Sequence, residues 1–272
     1  MNFDLYCGLN GVNFSTLKRV AKSPLDYYYG LTHERPDTAP MSIGRAVHVA
    51  VLEPDTLPLR YAVWDGYRRG KDWTQFQEAN EGREILTATE YARCLAIRDS
   101  VRSHPVAGPL LAKGESEVTV QWTDEETGLS CKARLDHLCG DALTDLKTTT
   151  DIGHRAFART CARYEYHAQM AHYQNGLLAT GHDPAPVRIV AVESEPPHDV
   201  AVYLVDEDAL YAGADKVAKW LRIVAECQES GLWPGQYPEQ VTLDLPPWAF
   251  DDDGNDDELI IMGLKPSPEV GA

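Results

Sequence analysis

Residues 115–148 carry three successive strand patterns, and this stretch constrains the fold more than any other part of the chain. In the first pattern the apolar side chains of Val118, Val120 and Trp122 alternate with polar ones, as on a sheet with one buried face. The predicted strands are 115–122, 129–138 and 142–148, with turns at 124–128 and 140–141. A hairpin-connected sheet is therefore expected at the centre of the fold.

Helical patterns flank these strands on both sides. In the first helix, Pro24 is expected to cause a kink or a split, and Gly30 to end the helix. In the second helix, Ser42 is the expected N-cap, and Pro54 stops the helix. Residues 55–88 are mixed in pattern. Helices are predicted at 14–29, 43–53, 88–103, 154–163, 166–180 and 207–230, and two further strands at 187–193 and 200–205. This order predicts an α/β fold with a mixed central β-sheet flanked by helices.

The composition is that of a globular protein long enough for one large domain. The chain has 272 residues, with 42 acidic against 25 basic side chains and a formal net charge of −17. We expect a single domain over 1–250, with its core at about 42–230, and a flexible acidic tail over 251–272. Taken by itself, the negative charge argues against binding to a polyanion such as nucleic acid.

Three patterns bear on localisation. No apolar stretch approaches the roughly 20 residues that span a bilayer, and the first residues show no secretory signal. The six cysteines are scattered without a C-x-x-C pair, which favours reduced thiols over disulfides or a zinc or iron–sulfur site. We therefore expect no membrane association and a cytoplasmic location.

The most informative polar residues are Asp136, Asp145 and Lys147. In a strand, Asp145 and Lys147 lie on one face, and Asp136 is near the end of the neighbouring hairpin strand, so the two carboxylates can converge. Two carboxylates and a backbone carbonyl form an oxygen-rich pocket suited to Mg²⁺, beside which a lysine can position a water or offset charge on a phosphate. The alternative is an exposed ion pair on a strand, because so short a motif also occurs by chance.

Three further features bear on this interpretation. Gly44 and His48 are four residues apart, so a helix places both on one face, with the glycine allowing close approach to the sheet and the imidazole reaching inward. Gln169 and Tyr173 share a helix face and could hold a phosphate or orient a base, and Glu117 lies on the polar face of the first strand. The alternatives are a packing glycine with a core histidine, and an ordinary polar helix edge.

In this order, the elements Gly44-x-x-x-His48, Asp136, Asp145-x-Lys147 and Gln169-x-x-x-Tyr173 resemble the PD-(D/E)xK nuclease superfamily. Within it they are most similar to the RecE/RecB-type branch, in particular the RecE nuclease domain and its phage relatives. The likeness covers about 10–250 and includes the runs 42–48, 52–54, 69–73, 128–136, 145–149 and 243–248. One departure is Leu135, where the superfamily name has a proline that is not a ligand. The resemblance implies a restriction-endonuclease-like αβββαβ core.

The resemblance also implies a Mg²⁺-dependent site in which Mn²⁺ can substitute. The implied metal ligands are His48, Asp136, Asp145, the carbonyl of Leu146 and, less directly through water, Glu117. Glu115 competes with Glu117 for that last role. The implied catalytic residues are Lys147 beside the attacking water, Asp136 and Asp145, and Gln169 and Tyr173, which would contact substrate phosphate or brace the site.

The activity implied by the resemblance is exonucleolytic. One strand of duplex DNA would be degraded 5′ to 3′ from an end, leaving 3′ single-stranded overhangs for phage-type recombination. The implied partners are double-stranded DNA ends and a single-strand annealing protein, with the chain itself a homo-oligomer in the cytoplasm of a bacterial or phage-infected cell. The alternatives are an endonuclease on the same core and a catalytically silent DNA-end-binding protein, which the presence of every implied ligand disfavours.

Two basic clusters offer contacts to DNA despite the overall charge. The first recurs every fourth residue along one helix and comprises Arg155, Arg159 and Arg163. The second comprises Arg68, Arg69 and Lys71, with Tyr67 and Trp73 able to stack on a frayed base. The alternative for any single arginine is an ordinary solvated side chain, but clusters that flank the site favour contacts to DNA phosphates, with little sequence specificity.

Overall fold

A computed structural model describes residues 3–33 and 38–249 of the chain. The chain divides into two compact units, residues 1–236 and 237–272. In the second unit the described part contains a single 3₁₀ turn, Pro247–Ala249. The predicted acidic tail, 251–272, lies outside the described residues, and the predicted domain over 1–250 stays a prediction.

The first unit contains two sheets: a two-stranded sheet, which comes first in the sequence, and a five-stranded sheet. Its strands are β1 (Tyr61–Trp64), β2 (Glu84–Thr87), β3 (Glu115–Thr123), β4 (Ser130–Cys139), β5 (Ala142–Thr149), β6 (Val187–Glu193) and β7 (Val200–Leu204). The helices before β3 are α1 (Phe3–Gly8), α2 (Phe14–Leu17), α3 (Pro24–Thr32), α4 (Ala39–Leu52), α5 (Leu57–Arg60), α6 (Lys71–Ala79), α7 (Ala88–Ser103) and α8 (Ala107–Leu111). Those after β5 are α9 (His154–Tyr164), α10 (Tyr166–Ala179) and α11 (Glu207–Ser230).

The large sheet has the strand order β3-β4-β5-β6-β7. Three of its pairings are antiparallel and one, β5 with β6, is parallel, because α9 and α10 carry the chain back across the sheet between those two strands. With α4 before β3, the succession is the αβββαβ core. The predicted mixed sheet flanked by helices is thus confirmed, and so is the tight turn at Gly140–Asp141.

Each face of the sheet covers its own hydrophobic core. Leu135, Leu143 and Ile189 point to a core shared with α10 and α11, which also contains Trp220 of α11. Leu146, Val190 and Val192 point the other way, to a core shared with α4 and α7. Because strand side chains alternate, one residue of register decides which core each side chain joins.

The N-terminal helices differ from the expectation in their ends. Pro24 does split the predicted first helix: a 3₁₀ turn, Lys18–Ala21, follows α2, and α3 restarts at Pro24 with the Ser23 hydroxyl accepting from the amide of Asp26. Gly30 does not close α3, which runs on to Thr32.

Ser42 is not an N-cap, since α4 already begins at Ala39, after Thr38 and with Pro40 in its first turn. Its hydroxyl instead lies 3.3 Å from a carboxylate oxygen of Glu84. A proline is well tolerated in the first turn, where its missing N–H would have no helical partner, so the helix can start ahead of the serine.

The mixed segment 55–88 contains structure that its pattern did not predict. β1 and β2 form a parallel pair in which Tyr61 is opposite Glu84 and Trp64 opposite Thr87, with α6 between them. The strands are four residues each, too short for periodicity to distinguish them from a loop. Aromatic contacts among Trp64, Trp73 and Phe76 pack α6 onto β1.

Candidate metal centre

The site lies in a notch where β4 and β5 separate. The two strands are paired only through His137–Thr144, Leu138–Leu143 and Cys139–Ala142. The next opposed positions are Asp136 and Asp145, where the ladder stops. Consequently the two carboxylates meet at the mouth of the opening rather than inside a continuous sheet.

The N-terminal segment borders the notch on its other side. The amide of Val12 donates to the carbonyl of Ser130 at 2.8 Å, and the amide of Lys132 donates to the carbonyl of Val12 at 2.9 Å. Val12 therefore pairs with the part of β4 that β5 has left. Between this bridge and the β5 pairing, the edge of β4 is free to present Asp136.

Asp136 closes the notch from the β4 side. Its Oδ2 accepts a hydrogen bond from the amide of Leu146 at 2.8 Å. The amide and carbonyl of one strand residue point to the same edge, so the carbonyl of Leu146 also faces the notch. The structure thus brings together the backbone oxygen and one carboxylate of the predicted ligand set.

His48 and Glu117 complete a group of potential metal ligands with Asp136. His48 Nδ1 lies 3.5 Å from Asp136 Oδ2, and the ligand atoms of the three residues are all within 4.8 Å of one another. Helix α4 supplies the histidine from one side, and β3 supplies the glutamate from the strand next to Asp136. By contrast, Glu115 is exposed at the start of β3 and is not in this group.

The backbone of Glu117 is left-handed, with φ of 57°. It falls at the one step of the β3–β4 ladder that is not paired, between Ser116–His137 and Val118–Leu135. Such a conformation is costly for a residue with a side chain and is often found at functional sites. Arg134, a nearly buried side chain on β4, forms an ion pair with the Glu117 carboxylate and holds it in place.

Asp145 and Lys147 form the second half of the site. Lys147 Nζ lies 2.6 Å from Asp145 Oδ2, and the Asp145 side chain has no solvent exposure. The contact is an ion pair without hydrogen-bond alignment, so neither Asp145 oxygen has a hydrogen-bond partner within the described residues. A fully buried carboxylate normally does have such partners, and this one has unfilled acceptor sites.

Gly44 needs no close approach to the sheet, contrary to the expectation from its spacing. A methyl group at this position would meet only the hydroxyl of Thr148, at 3.9 Å, which is ordinary van der Waals contact. His48, one turn further along α4, does reach inward as predicted.

Burial shifts the protonation equilibria of the site. Burial raises the pKa of Asp136 to about 6, against the opposing charge of Lys147. Burial and the neighbouring Asp136 raise the pKa of Asp145 to about 7. Burial lowers the pKa of His48, with Lys147 acting in the same direction, so its imidazole is neutral at pH 7. The pKa of Lys147 is raised, because the two aspartates outweigh the effect of its own burial.

These residues fit a divalent cation. Carboxylate and carbonyl oxygens with one neutral imidazole are ligands that Mg²⁺ and Mn²⁺ accept. The site sets two buried carboxylates against the one ammonium of Lys147, and a bound cation would favour the charged form of both aspartates, whose pKa values burial raises.

Helix α10 brings Gln169 and Tyr173 to the same region. Gln169 Nε2 donates to the Tyr173 hydroxyl at 2.7 Å, as their one-turn spacing predicts. Burial raises the pKa of Tyr173 well above its usual value, and the charges of Asp145 and Asp136 add to the effect. The pair therefore lies within electrostatic reach of the acidic site.

The first basic cluster is an exposed row on α9, which we call the arginine stripe; it comprises Arg155, Arg159 and Arg163. The opposite face of the helix buries Phe157. The inner side of α9 also carries Cys161, whose pKa is raised by burial and is sensitive to the charges of Lys147 and Asp145. The stripe thus lies on the outer side of a helix whose inner side approaches the site.

The second basic cluster is partly engaged in structure. Arg68 donates to the carbonyl of Ile85 at 2.9 Å and lies over the ring of Trp73 at 5.8 Å, which ties the loop to β2 and α6. Arg69 lies over the exposed ring of Tyr67, 5.3 Å from its centroid. Lys71, exposed, begins α6.

Sequence reasoning missed three residues around the site. Lys132 is buried and donates to the carbonyls of Tyr6, Cys7 and Leu9, at the C-terminal end of α1. Arg134 was not expected to pair with Glu117. Tyr166 was placed only as the start of a helix, yet its ring centroid is 4.9 Å from Lys147 Nζ. Partners so distant in sequence leave no local pattern. The one available signal was the position of Arg134, two residues before Asp136 and therefore on the same face of the strand.

Fold and site together define the class of PD-(D/E)xK nucleases. The chain belongs to one family of that class, described as a PDDEXK-like domain of unknown function (DUF3799), which matches residues 13–242. No curated protein gives a significant match to the sequence.

The solved structures that are similar to the chain include the following three. One is from Eubacterium rectale and carries a provisional assignment as an exonuclease; it has a TM-score of 0.61 and 15% identity, over 91% of this chain and 94% of that one. A phage-related exonuclease from Haemophilus somnus 129PT has a TM-score of 0.37 and 14% identity, over 84% and 98% of the two chains. LHK-Exo in complex with dAMP has a TM-score of 0.30 and 14% identity, over 68% and 92%. The first shows the same fold, and the other two are too distant to support an argument.

Within the described ranges, none of the helices has both the length and the apolar character needed to cross a bilayer.

Proposed function

We propose that the chain is a Mg²⁺-dependent DNA exonuclease that degrades one strand of duplex DNA 5′ to 3′ from an end and leaves 3′ single-stranded overhangs. Mn²⁺ would substitute for Mg²⁺. The single observation that carries the proposal is the notch, where the carboxylates of Asp136 and Asp145 oppose each other beside His48 and Lys147. The exonuclease assignment of the similar E. rectale protein agrees with it.

In this proposal His48, Asp136, Asp145 and the Leu146 carbonyl hold the cation, and Glu117 contacts it directly or through water. The bound cation would supply the charge that activates a water and offsets the negative charge developing on the scissile phosphate. The chain's own residues supply the positions of these groups. Asp136 is fixed by the Leu146 amide and Glu117 by Arg134, so neither carboxylate must reorganise to act.

Lys147 has a separate role. Its ammonium is paired with Asp145 at the edge of the notch, with 13% of the side chain exposed. From there it would donate a hydrogen bond to the attacking water or to a phosphate oxygen that gains charge in the transition state. Gln169 and Tyr173 would contact substrate phosphate or brace this arrangement from α10.

The DNA backbone would run along the outer side of α9, over the arginine stripe, as it reaches the site, with Arg68, Arg69 and Lys71 as a second contact. Contacts to phosphate alone give no base readout, so little sequence specificity is expected. The overhangs would feed phage-type recombination with a single-strand annealing protein, and the chain would work as a homo-oligomer in the cytoplasm of a bacterial or phage-infected cell.

The test is cleavage of linear duplex DNA, labelled separately at its 5′ and 3′ ends, with and without Mg²⁺ or Mn²⁺. Early release of the 5′ label, with the 3′-labelled strand preserved, is the expected result. A covalently closed circle is the control, and cutting of the circle would establish an endonuclease on the same core instead. Asp145→Asn should remove the activity, whereas Asp215→Asn, which removes one exposed carboxylate of α11, should not.

DNA-end binding without cleavage by the wild-type chain in either metal would leave only the catalytically silent alternative. The convergence of His48, Glu117 and Asp136 argues against that result, since a protein that only binds ends needs no such group.

A further inference from the structure

Lys147 has an aromatic neighbour that the proposed mechanism does not use. Its Nζ lies 4.9 Å from the ring centroid of Tyr166, the first residue of α10. The same ammonium is 2.6 Å from Asp145 Oδ2. A lysine side chain has four rotatable bonds, so one ion pair alone does not fix the position of its ammonium group.

The position of Tyr166 is set by an unusual junction between two helices. α9 ends at Tyr164 and α10 begins at Tyr166, so the turn is made by one residue, Glu165, which has a left-handed backbone with φ of 62°. A glutamate in this conformation requires support from its surroundings.

That support comes from α11. Lys216 Nζ donates to both carboxylate oxygens of Glu165, at 2.8 and 2.7 Å, and His167 Nε2 lies 3.4 Å from one of them. Close packing fixes α11 against α10 nearby, because a methyl group on Gly213 would be only 2.6 Å from the carbonyl oxygen of His167. These contacts fasten the junction to α11.

The ring of Tyr166 is also held laterally. Its centroid is 6.5 Å from that of Phe157 and 5.8 Å from that of Tyr164, the latter at an interplanar angle of 24°. These contacts leave one face of the ring toward Lys147.

From this geometry we propose that Tyr166 is a positioning residue, whose ring face holds the Lys147 ammonium at the edge of the notch, and that the Glu165–Lys216 pair fixes the ring. The inference rests on the proposed nuclease function for its kinetic consequence, but not for its structural one. A cation over an aromatic face is attracted to the ring, and most strongly where water is excluded. Phenylalanine should replace tyrosine here, because the ring face and not the hydroxyl makes the contact.

The kinetic test compares Tyr166→Leu with Tyr166→Phe and with the control Tyr211→Leu, in which a 74% exposed tyrosine of α11 is removed. With labelled linear duplex and Mg²⁺, Tyr166→Leu should lower kcat by about 3- to 30-fold with KM within about twofold. Tyr166→Phe and Tyr211→Leu should both retain kcat within about twofold. A Tyr166→Leu enzyme with unchanged kcat, or a Tyr166→Phe enzyme as slow as it, would overturn the proposal.

Lys216→Met tests the same idea without altering the ring, at a side chain that is 44% exposed. It should reduce kcat in the same direction as Tyr166→Leu, and it keeps the proposal testable if the leucine variant does not fold. An unchanged kcat in Lys216→Met would remove the Glu165–Lys216 pair from the proposal.

A readout independent of cleavage is the NMR signal of the Lys147 ε-methylene in protein labelled with ¹³C-lysine. A ring current should move this signal upfield in the wild type and in Tyr166→Phe, and the shift should disappear in Tyr166→Leu. An inactive wild type that shows the shift would refute the nuclease function alone. An active wild type without it would refute the positioning role alone.

Discussion

Replacing Asp145 with asparagine tests whether this carboxylate is kept for a cation rather than for the fold. Asp145 has no exposure and no aligned hydrogen bond within the described residues, and burial together with Asp136 raises its pKa from 3.8 to about 7. Asparagine has nearly the same shape and no charge. We therefore expect the variant to be more stable than the wild type when no cation is present.

The sign and size of this stability difference follow from the linkage between proton binding and folding. The folded state binds a proton at Asp145 more tightly than the unfolded state, so the wild type loses stability as pH rises from about 4 to 7. At about 1.4 kcal/mol per pKa unit, the loss at pH 8 has an upper limit of about 4 kcal/mol. For a chain of this size that corresponds to an increase in Tm of up to about 10 °C in the variant, shrinking to a degree or two at pH 4.

The assay is thermal unfolding of both proteins from pH 4 to 8, in chelator and in millimolar Mn²⁺ or Mg²⁺. The wild type should gain stability from the cation at pH 8, because binding to the folded state alone stabilises it, and Asp145→Asn should gain little. Asp215→Asn serves as the control for a lost surface charge. A variant that is less stable than the wild type in chelator at pH 8 would refute the reasoning and make Asp145 a structural residue.

His172 is fully buried with its pKa lowered to about 4 by burial, so wild-type stability should fall by up to about 3 kcal/mol as pH drops from 6.5 to 4, and urea unfolding of His172→Leu should lack this fall. Gly213→Ala should destabilise the fold by about 1–3 kcal/mol in the same measurement because its methyl group meets the α10 backbone, whereas Gly44→Ala, where space is open, should be neutral or stabilising. Replacing all three arginines of the stripe with glutamate in one variant should weaken DNA binding and reduce the slope of log K against log salt by about 2–3, and an unchanged slope would show a merely solvated stripe.

The strands and long helices were predictable because their signals are local. Alternation over β3 and the turn at Gly140–Asp141 needed only neighbouring residues, and Pro24 splits its helix through its own ring and missing amide. Ser42 misled because a serine near a helix start resembles a cap wherever the helix begins.

The site was predictable in its residues but not in its geometry. Spacing put His48 on the inward face of α4 and paired Gln169 with Tyr173, since one helical turn joins each pair of positions. The left-handed backbone of Glu117 and the ring of Tyr166 over Lys147 depend on strands and helices that meet only in the fold. No periodicity in the sequence reports such contacts.

The short β4–β5 hairpin fixes the relative positions of two carboxylates in the candidate metal centre. Asp136 lies three residues before Cys139, and Asp145 lies three residues after its partner Ala142, so the carboxylates face each other because both are counted from one turn. If the register of the ladder shifted by one residue, Thr144 or Leu146 would lie opposite Asp136 in place of Asp145. The two carboxylates would then no longer face each other, although the amino-acid sequence of the site would be unchanged. Gly140 and Asp141 are not in the group of potential metal ligands, yet the length of their turn sets the spacing between the two aspartates.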